Sequence, residues 1–295
     1  MRFVPGRTFA MGSNHNYPEE RPVRHVNVDG FWMDRAPVTN AEFSAFVAET
    51  DYRTMAERPP SQVDFPDVPP ESLVPGSAVF CPPKSPVALD REDRWWRYIP
   101  GASWRSPNGP GSTIAGLELH PVVHVAYEDG LAYARWAGKA LPTEEEWELA
   151  ARGGHDGLEF AWGEELNPEG RWMANTWQGE FPWQNLGLDG YEGTSPVGSF
   201  PPNPFDLVDM IGNVWEWTTG ASPVSADRAC CAPPTLRPVR RQRIIKGGSY
   251  LCSPNYCARY RPAARQLLES DSSASHVGFR CALRPSPQPA GAQLL

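Results

Sequence analysis

Glycine and proline interrupt this chain at one position in five, with 26 glycines and 33 prolines among 295 residues, where about 12% is usual. Proline removes a main-chain donor and fixes φ, and glycine raises the entropy lost on folding. Long helices are therefore excluded, and with them a helical bundle, a coiled coil or a TIM barrel. Disorder is excluded by the opposite feature. The 12 tryptophans, 12 phenylalanines and 9 tyrosines are more apolar ring than a chain without a core carries. The expectation is one α+β domain of short elements and long ordered loops around an aromatic core.

The formal charge of −8 argues against a nucleic-acid partner. No apolar run approaches the roughly 18 residues of a membrane helix, and Met1 to Ser13 contain no apolar signal core. Six cysteines are too few for a disulfide scaffold in a chain of this length. A cytoplasmic protein without membrane attachment is expected, working as a monomer.

Three segments read as helices. Thr39 followed by Glu42 is a capping box for a helix to about Glu49, with Phe43, Phe46 and Val47 on one face. Tyr127 to Trp136 is alanine-rich and stops at Gly138. Thr143 and Glu146 cap a third helix, which ends at Gly153 and Gly154. Arg24 to Val28 and Arg243 to Ile245 have strand character. Residues 52 to 120 are proline-rich but carry Trp95, Trp96, Tyr98 and Trp104, so they are expected to be a structured excursion over the core; the spacing assigns them no role. The domain is expected to span 1–283, and residues 284–295 to be a disordered tail.

Cys252 and Cys257 stand in a C-x4-C spacing around Ser-Pro-Asn, which fits neither a zinc ribbon nor a thioredoxin-like site. Two soft thiolates without a harder ligand suit Cu(I); a redox disulfide or two unrelated buried thiols fit the spacing equally well. Oxygen donors cluster at 175–191 and 206–216. Such loops can hold Ca²⁺, and they can equally be turns, since neither has EF-hand spacing. His120 and His124 are read as satisfied loop histidines, because Pro121 breaks any helix that could align them. Arg237, Arg240, Arg241, Arg243 and Lys246 form a basic run, read as a solvated face or a patch for an acidic partner. Cys230 and Cys231 are adjacent and poorly placed to bond each other, and Cys81 and Cys281 have no evident partner.

Several motifs resemble the formylglycine-generating enzyme family, the sulfatase-modifying factors. Gly-Asn-Val-Trp-Glu-Trp-Thr (212–218), Lys-Gly-Gly-Ser-Tyr (246–250) and Gly-Phe-Arg-Cys (278–281) are widespread in that superfamily. More specific are Cys252 and Cys257 followed by Arg-Tyr-Arg-Pro-Ala-Ala-Arg (259–265) and Asp-Ser-Ser-Ala-Ser (271–275). Asn-Thr-Trp-Gln-Gly-Glu-Phe-Pro (175–182) and Leu-Pro-Thr-Glu-Glu-Glu-Trp-Glu (141–148) add to the likeness, which runs from about Pro5 to Leu283.

The resemblance implies a C-type-lectin-like fold poor in regular structure. It also implies an oxidase that converts a cysteine within Cys-x-Pro-x-Arg of an unfolded sulfatase chain to Cα-formylglycine, through a thioaldehyde, with O₂ and a thiol reductant. On that basis Cys252 and Cys257 bind Cu(I), and Ser249, Tyr256 and Ser273 line the oxygen and substrate pocket, with Arg265 holding one of its walls. One calcium falls to Asn175, Thr176, Asp189 and Tyr191, and a second to Asp209, Gly212, Val214 and Glu216. Ala134, Ala151 and Pro262 occupy positions where secretory members carry cysteines, leaving Cys281 unpaired, as in a bacterial cytosolic type. His276 and Asp209 stand where asparagine is expected. An iron sulfoxide synthase of the same superfamily needs a His-x3-His-x-Glu set that is missing here. A lectin-like binding module with structural cysteines and a metal-free thiol–disulfide oxidase are the competing readings.

Overall fold

The computed structural model describes residues 1–63, 65–221 and 241–285. Cys230, Cys231, Arg237, Arg240 and the tail from residue 286 onward lie outside the described residues. Eleven short strands among them are β1 (Arg2–Val4), β2 (Arg7–Met11), β3 (Arg24–Val28), β4 (Phe31–Met33), β5 (Gly76–Phe80), β6 (Trp96–Pro100), β7 (Trp215–Trp217), β8 (Gln242–Lys246), β9 (Arg265–Glu269), β10 (Val277–Gly278) and β11 (Ala282–Leu283). The helices are α1 (Asn40–Thr50), α2 (Tyr127–Trp136) and α3 (Glu144–Ala151). The fold is α+β with little regular structure, as the glycine and proline content requires.

Each helix starts where its capping chemistry places it. Thr39 N–H donates to Glu42 Oε2 at 2.8 Å and Glu42 N–H to Thr39 Oγ1 at 3.3 Å. The same reciprocal pair joins Thr143 and Glu146 at 2.7 and 3.1 Å, so two orphan donors are satisfied at each start. At α2 the acceptor is Asp129, which takes the Ala126 N–H at 2.8 Å.

The first strand and the last described strand share one sheet of order β1-β4-β11, all antiparallel. A second sheet runs β10-β7-β8-β9, with only the β10–β7 pair parallel. Hairpins β2-β3 and β5-β6 complete the set. The aromatic core divides into three clusters. Phe43, Phe46, Trp104, Tyr133 and Phe279 pack between α1 and α2. Phe9, Phe31, Met33 and Trp147 pack under α3. Trp95, Trp177, Phe181, Tyr250 and Leu251 form the third.

The excursion 52–120 is ordered and supplies the β5-β6 hairpin. It is stitched to the C-terminal segment by an Ala78–Ala274 parallel bridge, with Ser275 N–H donating to Ala78 O at 3.0 Å. Two expectations need correction. The described part of the basic run is only partly solvated: Arg241 is exposed, but Lys246 is fully buried with Nζ 2.8 Å from Glu148, and the Arg243 guanidinium lies over the Tyr127 ring at 4.6 Å. Arg284, assigned to the tail by sequence, is instead held on Glu146 at 2.6 Å. No helix among the described residues is long and apolar enough to cross a membrane.

Candidate active site

The two cysteines are delivered by a turn that only glycine permits. β8 ends at Lys246, and Gly247 and Gly248 follow with φ of +95° and +72°. A Cβ on Gly248 would meet the Arg259 carbonyl at 2.7 Å, and one on Gly247 would meet Met210 O at 2.9 Å, closer than real contacts allow. Beyond this turn Ser253 O accepts from the Tyr256 and Cys257 N–H groups at 3.1 and 2.8 Å. That fold-back brings Cys252 Sγ to 3.5 Å from Cys257 Sγ. The separation is well beyond a disulfide bond of about 2.05 Å, and both thiols are free.

The two sulfurs are not equivalent. Burial pushes the Cys252 thiol up, and the neighbouring Cys257 adds to that. Cys257 is held down by its hydrogen bond with Cys252 and by Arg259, whose Nη1 is 3.7 Å from Cys257 Sγ. Arg259 is in turn fixed by Glu19 at 2.5 Å and by the Tyr17 ring at 3.7 Å. The pair therefore carries one anionic sulfur, Cys257, and one proton on Cys252.

Both cysteines open into a cavity of about 680 Å³. Ser249, Tyr256 and Ser273 are among the residues that line it. Tyr256 stacks on Phe181 at 4.7 Å and its hydroxyl donates to Glu92 at 3.1 Å; burial and that carboxylate raise its pKa. Arg265 does not line the cavity. It pairs with Glu144 at 2.7 Å and anchors the start of β9, whose Gln266 and Leu268 do form the wall.

Several lining residues escaped the sequence. Arg58, Ser77, Glu92, Trp96 and Tyr98 come from the excursion, whose role the spacing left open. Arg259 was within a quoted motif but carried no separate signal. His276 faces the cavity beside Trp96, with ring centres 4.7 Å apart. Among the described residues its Nδ1 has no hydrogen-bond partner, and burial depresses its pKa to about 3.

Of the four histidine and cysteine positions weighed as ligands, only the two cysteines come together at the cavity. His124 is buried, with Nδ1 2.8 Å from Ser77 Oγ and Nε2 2.8 Å from Pro107 O. His120 Nδ1 meets Thr194 Oγ1 at 2.9 Å. Both are satisfied loop histidines. Among the described residues no group of three or more His, Cys, Asp or Glu side chains is arranged to hold a metal. Two free soft donors at the cavity, one of them anionic, fit a low-coordinate soft ion better than a hard one.

The first oxygen cluster is assembled around Asp189. Its carboxylate accepts from Thr176 N–H at 3.3 Å and from Tyr191 N–H at 3.0 Å, and Asn175 Nδ2 donates to Gly193 O at 2.9 Å. Burial raises the Asp189 pKa. The second set is different. Gly212 sits at φ +71°, with Asn175 O where a Cβ would project, and Asp209 Oδ2 accepts from Gly198 N–H at 2.7 Å. Burial pushes Asp209 up to about 6. Glu216 already accepts from Arg280 at 2.7 and 2.8 Å and from Trp147 at 2.7 Å, so its charge is balanced within the chain. Both clusters touch the cysteine loop: Asn213 N–H donates to Asn175 O at 2.9 Å, Tyr250 N–H to Asn213 O at 3.0 Å, and Trp177 N–H to Cys252 O at 3.0 Å.

Residues 1–285 match the sulfatase-modifying factor enzyme 1-like domain. The formylglycine-generating enzyme of Mycobacterium tuberculosis is 52% identical over 292 residues, covering 96% of this chain and 97% of that one. The formylglycine-generating enzyme of Thermomonospora curvata is 47% identical over 292 residues, covering 96% and 92%. Among solved structures, PvdO from Pseudomonas aeruginosa shares the fold with a TM-score of 0.61 at 24% identity, covering 96% of this chain and 93% of that one. The near-complete match, together with the motifs that build the cysteine turn and its flanking loops, means that this chain belongs to the sulfatase-modifying factor family.

Proposed function

We propose that the chain is a formylglycine-generating oxidase, converting a cysteine of a sulfatase chain to Cα-formylglycine with Cu(I) held by Cys252 and Cys257. The observation that carries this reading is the pair of free thiols 3.5 Å apart on the wall of a cavity of about 680 Å³. The relatives' names supply the reaction, and the cavity supplies room for a peptide side chain beside the thiols. The net change is balanced when a thiol reductant gives two electrons: cysteine, O₂, two protons and two electrons yield a thioaldehyde and two waters. Hydrolysis of the thioaldehyde then gives the aldehyde and H₂S.

Copper, when bound, supplies one-electron chemistry toward O₂ and an affinity for a further thiolate. The chain's own residues do the rest. Cys257 offers a thiolate without prior proton loss, and Arg259 holds that charge in place. Cys252 gives up its proton when a soft cation replaces it. Phe181, Trp96 and Tyr256 exclude water and offer apolar faces to the substrate. A thiolate-only donor pair also leaves hard cations unbound. The Asn175, Thr176, Asp189 and Tyr191 cluster is the structural Ca²⁺ site in this reading, because its half-buried carboxylate lies against the main chain of Thr176 and Tyr191. At the second set a cation must share Glu216 with Arg280.

The test is a peptide assay on the purified metal-free protein with a Cys-x-Pro-x-Arg peptide, O₂ and a thiol reductant, with and without one equivalent of Cu(I), followed by product mass. Copper-dependent conversion of the cysteine to an aldehyde is expected, with Cys252→Ala and Cys257→Ala folded but inactive. Turnover without copper points to a thiol–disulfide scheme. A folded, copper-loaded protein that binds the peptide and converts none of it points to a binding module.

A further inference from the structure

A hydrogen-bond chain runs from the buried interior to the cavity wall at Ser77 and Ser273. Ser273 Oγ is 2.7 Å from Ser77 Oγ, Ser77 Oγ is 2.8 Å from His124 Nδ1, and His124 Nε2 is 2.8 Å from the Pro107 carbonyl oxygen. Ser273 lies on the cavity wall, whereas His124 is wholly buried. The direction of each bond follows from its far end. A carbonyl can only accept, so His124 Nε2 carries the proton. Burial keeps the imidazole neutral, depressing its pKa to about 4, so Nδ1 is an acceptor. Ser77 therefore donates to Nδ1, and its only hydrogen is committed. Between the two serines, Ser273 must then be the donor. With its own hydrogen turned inward, Ser273 shows lone pairs to the cavity.

The chain is also fixed in space. His124 sits at φ +60°, with its N–H donating to Ala274 O at 3.0 Å, and Ala78 N–H donates to Ser273 O at 3.3 Å. The three segments that carry the hydroxyls and the ring are thus tied together by main-chain bonds, and the hydroxyls have little freedom to reverse.

We propose that Ser273 is held as a hydrogen-bond acceptor toward the cavity by the one-way chain through Ser77 and His124 to the Pro107 carbonyl, and takes a main-chain N–H of the incoming peptide. His124 is a positioning residue that acts through the two hydroxyls, and Ser77, itself on the cavity wall, orients Ser273 because its own hydrogen is committed to His124. A peptide brings a row of N–H donors, and an acceptor with no proton to offer selects for them over the carbonyls beside them. This inference rests on the reading of the cavity as the peptide oxidase site.

The experiment compares peptide KM and kcat for the copper-loaded protein and for Ser77→Ala, His124→Asn and His124→Leu, with thermal unfolding alongside. Asparagine keeps an acceptor near the Nδ1 position and tolerates positive φ, whereas leucine has its shape without the acceptor. Ser77→Ala and His124→Leu are expected to raise KM by about 10-fold with kcat within about twofold, the loss of one oriented hydrogen bond. His124→Asn is expected to stay within about threefold of the unaltered protein. A scan of singly N-methylated peptides is expected to find one position that weakens binding to the unaltered protein and adds little in Ser77→Ala. Unchanged KM in Ser77→Ala, or equal impairment by asparagine and leucine, overturns the proposal. The ¹⁵N spectrum of the unaltered protein decides the chain independently of turnover. A neutral His124 protonated on Nε2 is expected, and protonation on Nδ1 overturns it. If the unaltered protein converts no peptide, the oxidase reading fails while that spectrum still reports on the chain.

Discussion

At the scale of single residues the cavity is set by groups whose ionisation the fold has fixed. Cys257 is anionic because Arg259 and the Cys252 thiol face it, while His124 and His276 are kept neutral by burial, with pKa values near 4 and 3. Both histidines lie well below the ordinary 6.5, so the unfolded chain binds protons that the folded chain refuses. Their contribution to stability is complete above about pH 6.5 and is lost as the pH falls toward 4 and 3. Asp129, pushed up to about 6 by burial, works in the opposite sense over part of that window. The expected result is therefore read as a difference: the stability gap between the unaltered protein and His276→Asn shrinks as pH is lowered from about 7 to about 4, by on the order of 1–3 kcal/mol. Denaturant melts across that range check it, and a constant gap would show that His276 titrates alike in both states. The cysteines were legible in the sequence because the turn that joins them is local. Neither His276 nor Ser77 was, since each gains its meaning from a partner far along the chain; Ser77 and Ser273 are 196 positions apart.

At the scale of elements, legibility followed capping chemistry. Two of the three helices begin at their sequence-predicted caps, Thr39 and Thr143, because a cap is written within four residues; α2 occupies the alanine-rich segment expected for it, but its cap was not foreseen. Most strands were not foreseen: five of the eleven have only two or three residues and carry no alternation to detect, and the others are too short for their pattern to stand out among the glycines and prolines. α2 shows how a cap is tied into tertiary structure. Its Asp129 accepts the Ala126 N–H at 2.8 Å, the Met55 N–H at 3.0 Å and the Tyr52 hydroxyl at 3.0 Å. The carboxylate thus fastens the excursion, through Met55 and Tyr52, to the start of the helix. Asp129→Asn leaves one acceptor facing donors on both sides and turns an amide N–H₂ against a main-chain N–H. A loss of about 1–3 kcal/mol is expected, measured by denaturant unfolding. Because Met55 lines the cavity, KM for the peptide should rise in the same variant. A variant as stable as the parent would mean that these bonds contribute nothing net.

At the scale of the whole molecule, a chain with so little regular structure needs fixed points between its loops. Buried charge pairs serve, among them Lys246 with Glu148 at 2.8 Å, Arg261 with Glu20 at 2.6 Å and Arg280 with Glu216 at 2.7 Å, and removing one partner of such a pair costs about 3–5 kcal/mol. Among the described residues Asp189 of the loop 175–191 has no comparable pair, yet through Trp177 N–H and Cys252 O the loop supports the cysteine turn at 3.0 Å. A divalent cation there would join that loop to the cysteine turn. Calcium is therefore expected to raise the unfolding free energy by about 2.7 kcal/mol at a hundredfold excess over its Kd, and chelation with EGTA to reverse the gain. Asp189→Asn should abolish the calcium response while leaving the chelated protein near its parent. Glu216→Gln should behave differently, losing stability equally with and without calcium, because it breaks the pair with Arg280. If the response instead survives Asp189→Asn and disappears in Glu216→Gln, the cation sits at the second oxygen set and shares Glu216 with Arg280. Thermal melts of the three proteins in calcium and in EGTA separate these outcomes, because the two sets differ in whether the chain already balances the charge.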